Sequence, residues 1–431
     1  MLERLFKLKA NKTTVRTEIL GGFSTFLTMS YIIFLNPSIL AQTGMDKGAI
    51  FVATCLAAAL GSTLMGVLAN YPIALAPGMA LNTYFTYGVV LGAGYSWQTA
   101  LGAVFVAGLI FFGLSVVPIR EYLINSIPKS LKVAIVAGIG LFLGIIGLKS
   151  SGIIVGHSAT LVTLGPLHEP GALFAILGFF LIICLEALGV TGAIIISILS
   201  VTVLSMLLGY NHFTGIISAP PSIAPTFLQM DLHHLFRPDL AAIIFAFLFV
   251  DLFDNTGTLI GVAHRAGLID AQGKLPRVSR ALMADSIAAT ASALLGTSTT
   301  TSYLESAVGV KAGGRTGLVA VVVAILFLFA LFFAPLASSI PVYATAPALV
   351  YVACLMARAF TEFDWEDVTE YAPAVITAIT MPLTFSIAEG IALGFITYAA
   401  VKLFSGRFRD LNATIIVLAC IFILKYTYLH N

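Results

Sequence analysis

The residues best suited to chemistry lie in FVDLFDNTGTLIG, 249–261, which closes the apolar run AAIIFAFLFV. Asp251, Asp254, Asn255 and Thr258 recur at i, i+3, i+4 and i+7, so on a helix they form one polar stripe. A charged aspartate at the centre of a bilayer costs about 3 kcal/mol on insertion scales, so the stripe cannot face lipid. It must turn toward a wet cavity or toward partners. No basic residue lies at comparable depth, so Asp254 is expected either to hydrogen-bond a ligand or to be protonated. Glu305, in GTSTTTSYLESAVGV (296–310), is a second deep acid. It is either a ligand group or a helix-terminus carboxylate bonding open backbone donors. Asp251, one turn from Asp254, serves proton passage or structural pairing, whereas Asp285 reads as structural. Glu186 and Glu389, at tight turns, are expected to be solvated. No Cys/His cluster, nucleophile–base pair or P-loop is present, and GGRTG at 313–317 lacks the lysine. An enzyme is therefore not expected, and neither a metal nor a cofactor.

The elements that hold these side chains must be membrane helices. The 431 residues are 59% hydrophobic and 10% charged, with mean hydropathy +1.02. Soluble domains carry roughly 25% charged residues. At about 20 residues per span there is room for roughly twelve to fifteen helices. The apolar runs predict seven plus seven spans; a further run, 413–428, is marginal in length. With the N-terminus cytoplasmic, eighteen of the 22 Lys and Arg fall on one side, as the positive-inside rule asks. The net charge of +2 gives no argument for a nucleic-acid partner, because the basic residues are spread among loops, and none is expected. The N-terminal stretch is charged and shows no cleavage site, so the first span is read as an internal anchor. Cys55, Cys184, Cys354 and Cys420 all sit in apolar runs and are read as reduced packing residues.

Two observations point to transport. SIPKSLKVAIVAGIGLFLGIIG from Ser126 resembles SIPVYATAPALVYVACLMARAF from Ser339, and a repeat of seven spans must enter the membrane inverted. The third span (YPIALAPGMALNTYF) and the tenth (LLGTSTTTSYLESAVGV) are interrupted at corresponding places. Backbone there must be extended or unwound, which a membrane tolerates only around a cavity or inside protein. Such paired half-spans mark a transporter's binding site.

At ALAPGMALNTYF (74–85), VDLFDNTGTLIG (250–261) and GTSTTTSYLESAVGV, the chain resembles the azaguanine-type purine permeases of the nucleobase/ascorbate transporter superfamily. The likeness runs nearly end to end, from NKTTVRTEILGGFSTFLTMSYII through GGRTGL to YATAPAL. It implies an all-α polytopic fold of fourteen segments as inverted repeats, with short strands in spans 3 and 10. It also implies a core domain (19–118 and 240–338) and a gate domain (119–210 and 339–431). Residues 1–18 then form a cytoplasmic N-terminus and 211–239 an extracellular loop. Carried over by position, the purine-binding acids would be Asp254 and Glu305, with Asn82 from span 3. The backbone around Ala80, Leu81, Thr299 and Thr300 would complete the site, and Phe23 and Thr25 would approach it. Relatives read APGMGLN where this chain has Ala80, and the wider superfamily places glutamate at Asp254 and often histidine at Thr258. The implied activity is import of adenine, hypoxanthine or guanine across the cytoplasmic membrane. Proton symport, carried by Asp254, Glu305 and Asp251, is expected because no sodium site is recognisable. The resemblance is compatible with a homodimer. The alternatives are a sulfate-type anion carrier, which would need fixed positive charge at the site, or a uracil/xanthine-type carrier.

Overall fold

The computed structural model describes residues 2–116, 126–233, 238–266, 268 and 276–428. Helix α1 (Leu2–Phe6) precedes α2 (Val15–Met29), which Thr14 caps by accepting from Thr17 N–H at 3.2 Å. A break at Ser30 and Tyr31 leads into α3 (Ile32–Leu40). Asp46 caps α4 (Lys47–Leu64) through Ala49 N–H at 2.7 Å. Strand β1 (Leu75–Pro77) and α5 (Met79–Thr83) follow, with a π-helical continuation to Gly92, and then α6 (Trp97–Val116). Helix α7 (Lys129–Ser150), a hairpin of β2 (Ile154–His157) and β3 (Leu161–Leu164), α8 (Pro170–Ala187) and α9 (Ala193–Leu207) complete the first half.

The second half runs through α10 (Pro238–Arg265), α11 (Val278–Leu295), β4 (Thr300–Ser302) and the short α12 (Ser306–Lys311). Then come α13 (Gly317–Ala330), α14 (Ala334–Ser338), α15 (Val342–Ala357), α16 (Val368–Thr384), α17 (Ile387–Phe404) and α18 (Ala413–Tyr428). Among the described residues, nine helical stretches are long and apolar enough to cross a membrane. β1 and β4 stand in corresponding places of the two halves and pair antiparallel, the relation expected of copies inserted upside down.

Packing sorts the helices into two bundles. Helices α2, α4 and α6 pack against α11 and α13, with α10 on α6 and α12 on α2. Their contact faces are rich in small side chains, such as Ala281, Ala284, Ala288 and Ser292 of α11, which let backbones approach closely. Helices α7, α8 and α9 pack instead on α15 and α16, with α17 against α16 and α18 against α17. The bundles meet where α10 touches α7 and α17, and where α5 touches α7.

Three buried polar arrangements hold this frame. Glu18, fully buried on α2, accepts from Arg315 N–H at 2.8 Å and from the Thr316 N–H and hydroxyl at 3.1 and 2.6 Å. The Arg315 guanidinium in turn donates to Val310 O at 2.6 Å, so the GGRTGL loop ties the end of α12 to α2. Asn36 Nδ2 of α3 donates to the hydroxyls of Thr54 and Thr297 at 2.7 and 2.9 Å. Lys402, with a side chain 1% exposed, lies 2.6 Å from Glu370 Oε1 and 3.1 Å from Asp410 Oδ2. Burial of that ammonium is tolerable because both carboxylates and the Thr369 hydroxyl, at 2.9 Å, answer it.

Several expectations need correcting. Only Cys55 is packed inside; Cys184, Cys354 and Cys420 are exposed, and all four are free. Glu389 is half-buried at the start of α17, and the Tyr426 hydroxyl of α18 donates to its Oε2. It is therefore not simply solvated. The run 413–428 is a helix laid on α17 through Ile415, Leu418 and Phe422. The β2–β3 hairpin was not foreseen; two runs rich in β-branched residues around GHSA in IIVGHSATLVTL were the available signal. The boundary at 118–119 falls outside the described residues.

Candidate substrate site

The site grows from the two interruptions. Pro72, Pro77 and Gly78 deny helix to the third segment, and the Thr/Ser run 297–302 denies it to the tenth. The two stretches satisfy each other's backbone, with Leu75, Ala76 and Pro77 opposite Ser302, Thr301 and Thr300. Gly78 N–H donates to Thr299 O at 2.9 Å and Tyr303 N–H to Ala74 O at 3.0 Å, extending the pair at both ends. Ser62 Oγ accepts Leu75 N–H at 2.9 Å, Ser306 Oγ accepts Ala74 N–H at 3.0 Å, and the Tyr303 hydroxyl donates to Pro77 O at 2.7 Å. Non-helical backbone is thus sustained inside the protein. A Cβ at Gly78 would lie 2.7 Å from Thr301 Oγ1, so the strands approach as closely as glycine permits.

Half-helices lead away from both strands. The amides of Met79, Ala80 and Leu81 precede the first intrahelical bond of α5, Asn82 N–H to Gly78 O at 2.8 Å, and no side chain caps them. Glu305 stands at the N-cap of α12 and its side chain makes no capping bond to that helix. Instead its Oε1 accepts the Tyr31 hydroxyl at 2.8 Å. Helix α10 packs on β4, α5 and α12, so its polar stripe belongs to this neighbourhood. Asp251 and Asn255 of the stripe are buried, and Thr258 is half-buried. The side chain of Asp254 lies outside the described residues.

A group of buried polar atoms here has no hydrogen-bond partner among the described residues. It comprises Asn82 Oδ1, both side-chain polar atoms of Asn255, and the hydroxyls of Thr25, Ser298, Thr299, Thr300 and Ser302. Left bare, each would cost about 1–3 kcal/mol, so their concentration near one strand pair singles this region out as the candidate site. Asn82 Nδ2 reaches Pro77 O only at 3.4 Å.

Of the residues picked from sequence, Asn82, Ala80, Leu81, Thr299, Thr300 and Glu305 lie on or beside the strand pair, and Thr25 is buried on α2 against α12. Phe23 is a correction. It is 48% exposed and continues an outward stripe with Leu20 and Leu27, because residues 23 and 25 fall on opposite sides of a helix. Asp285 is buried in α11, consistent with a structural part. Sequence reasoning missed Tyr31, Tyr303 and Asn36. The signal for Tyr31 was a hydroxyl inside an apolar run, just after Ser30 at the break between α2 and α3.

Known proteins show what this arrangement belongs to. The model of the Permease family, Xan_ur_permease, matches residues 16–393. The adenine permease AdeP of Escherichia coli (strain K12) is 49% identical over 429 residues, covering 100% of this chain and 96% of its own. A putative permease of Methanocaldococcus jannaschii is 53% identical over 429 residues, covering 99% of this chain and 98% of its own. The guanine/hypoxanthine permease PbuG of Bacillus subtilis (strain 168) is 45% identical over 440 residues, covering 99% and 100%. Among solved structures, the transmembrane domain of the cyanobacterial bicarbonate transporter BicA aligns with a TM-score of 0.62 at 15% identity. The alignment covers 88% of this chain and 97% of that one. SLC26A9 aligns with a TM-score of 0.66 at 12% identity, over 91% of this chain and 67% of its own. Likeness at such identity concerns the fold alone, and the shared fold is that of inverted-repeat transporters. The chain is a multi-pass membrane transport protein rather than an enzyme, and it belongs to the Permease family, Xan_ur_permease.

Proposed function

We propose that this permease imports purine nucleobases across the cytoplasmic membrane by proton symport, with its N-terminus in the cytoplasm. The observation that carries the reading is the strand pair β1–β4, set between the uncapped start of α5, the Glu305 carboxylate and the polar stripe of α10. The names of the relatives, adenine and guanine/hypoxanthine permeases, support the same cargo. A purine is flat, nearly uncharged, and edged with N–H donors and ring-nitrogen acceptors. Carboxylates of Asp254 and Glu305 accept from ring or exocyclic N–H groups, while Asn82 can donate and accept. Backbone amides near Ala80, Leu81, Thr299 and Thr300 donate to the base's oxygen or ring nitrogen, and Thr25 closes the edge near α12.

Asp254 and Glu305, with Asp251 one turn away, take up the coupled proton. The first bundle acts as the core domain (19–118 and 240–338), moving against the gate domain (119–210 and 339–431) in alternating access. An anion carrier is not favoured, because the deep charges are acidic. Uptake of labelled hypoxanthine and of labelled adenine, each challenged with adenine, guanine, xanthine and uracil, tests the cargo. Purines compete and uracil does not; the opposite pattern sinks the reading. A protonophore collapses accumulation if protons drive it, and uptake that survives the protonophore rejects the coupling.

A further inference from the structure

We infer that Tyr31 is a positioning residue for transport, whose hydroxyl fixes the Glu305 carboxylate so that one oxygen stays turned to the base. The inference rests on the purine reading above. Tyr31 is 2% exposed and sits where α2 ends, in a tightened turn with Ile33 N–H on Ser30 O and Phe34 N–H on Tyr31 O, both at 3.1 Å. Its ring volume would be filled as well by phenylalanine, so packing alone does not call for the oxygen. A buried phenol needs a partner, and here its hydroxyl donates to Glu305 Oε1 at 2.8 Å. A phenol beside a carboxylate donates a hydrogen bond to it, which holds the accepting oxygen in place.

That bond occupies Oε1 and leaves Oε2 to accept from a base N–H. Glu305 makes no capping bond to α12, and Tyr31 is the side chain that reaches across to orient it. The two residues belong to one bundle. Helix α12 lies on α2 so closely that a Cβ at Gly309 would fall 2.5 Å from Gly21 O. The hydrogen bond therefore survives movement of the core against the gate, and Tyr31 acts on affinity rather than on turnover.

The test is Tyr31→Phe in the full-length chain, with uptake of labelled adenine and hypoxanthine measured in cells and the melting temperature measured on purified protein. KM rises about tenfold for the transported purine, as loss of a hydrogen bond to a charged group implies, while the maximal rate and the melting temperature stay near wild type. An unchanged KM, or a loss of fold or maximal rate at unchanged KM, overturns the inference while leaving the purine reading intact. Failure of the wild type to take up either purine removes that reading itself.

Discussion

Glu305 and Tyr31 meet at 2.8 Å across 274 positions of chain, a contact that by our proposal holds the acid as an oriented acceptor. A deep carboxylate endures only where a donor answers it. The same logic gives the plainest expected outcomes. Asp254→Asn and Glu305→Gln each abolish purine uptake while membrane insertion, followed by surface labelling or blotting, stays normal. Full transport by either variant at normal expression would remove that residue from the site. Asn82→Ala raises KM for the transported purine by about five- to fiftyfold, since the base then leaves one polar group unpaired. Saturation kinetics measure it. The acid stripe was legible because a period of 3.6 residues is a local property; Tyr31 was not, because nothing nearby announces its distant partner.

The short elements matter because they replace helix at both interruptions and so shape the proposed site. β1 and β4 together comprise six residues, yet their pairing satisfies the backbone that the interruptions release and stands two half-helices beside one helix face. Small residues make the arrangement fit. A Cβ on Gly309 would come within 2.1 Å of Thr25 Oγ1, so Gly309→Val must push α12 from α2. We expect that variant to lose about 2–4 kcal/mol of stability through overpacking, and its uptake to fall with it. Fluorescence-detected thermal melts decide this; an unchanged melting temperature would mean the helices can part at little cost.

For the whole molecule, two bundles of unlike polarity share one interface. The bundle carrying the strands holds the buried Asn36, Asn82 and Asn255 and the Thr/Ser run 297–302, whereas the other binds its charges to one another at the ends of α16 and α17. There a cavity of about 380 Å³ is lined by Asp367, Glu370, Lys402 and Asp410. Those charges are mutually answered, so the cavity is not built like the strand site. Lys402→Met deserts Glu370 and Asp410 and is expected to lower stability by about 3 kcal/mol, with solvent at the half-exposed Asp410 softening the loss. Purine KM should change little. A large KM change with an unaltered melting temperature would place this cluster in the transport path instead.

Hydropathy, the inverted halves, the interrupted spans and the polar stripe were all readable from residue order, because each depends on composition or on spacing within a single element. The proposed sidedness rests on where lysine and arginine fall. Which polar groups touch was another matter. The pairing of β1 with β4, the hold of Glu18 on the GGRTGL loop and the reach of Tyr31 to Glu305 join residues more than 200 positions apart, and only the interlocking of the two halves brings them together. Phe23 shows the same limit from the other side. The helical period says that it and Thr25 face apart, but only packing against α12 and α13 decides which of them looks inward.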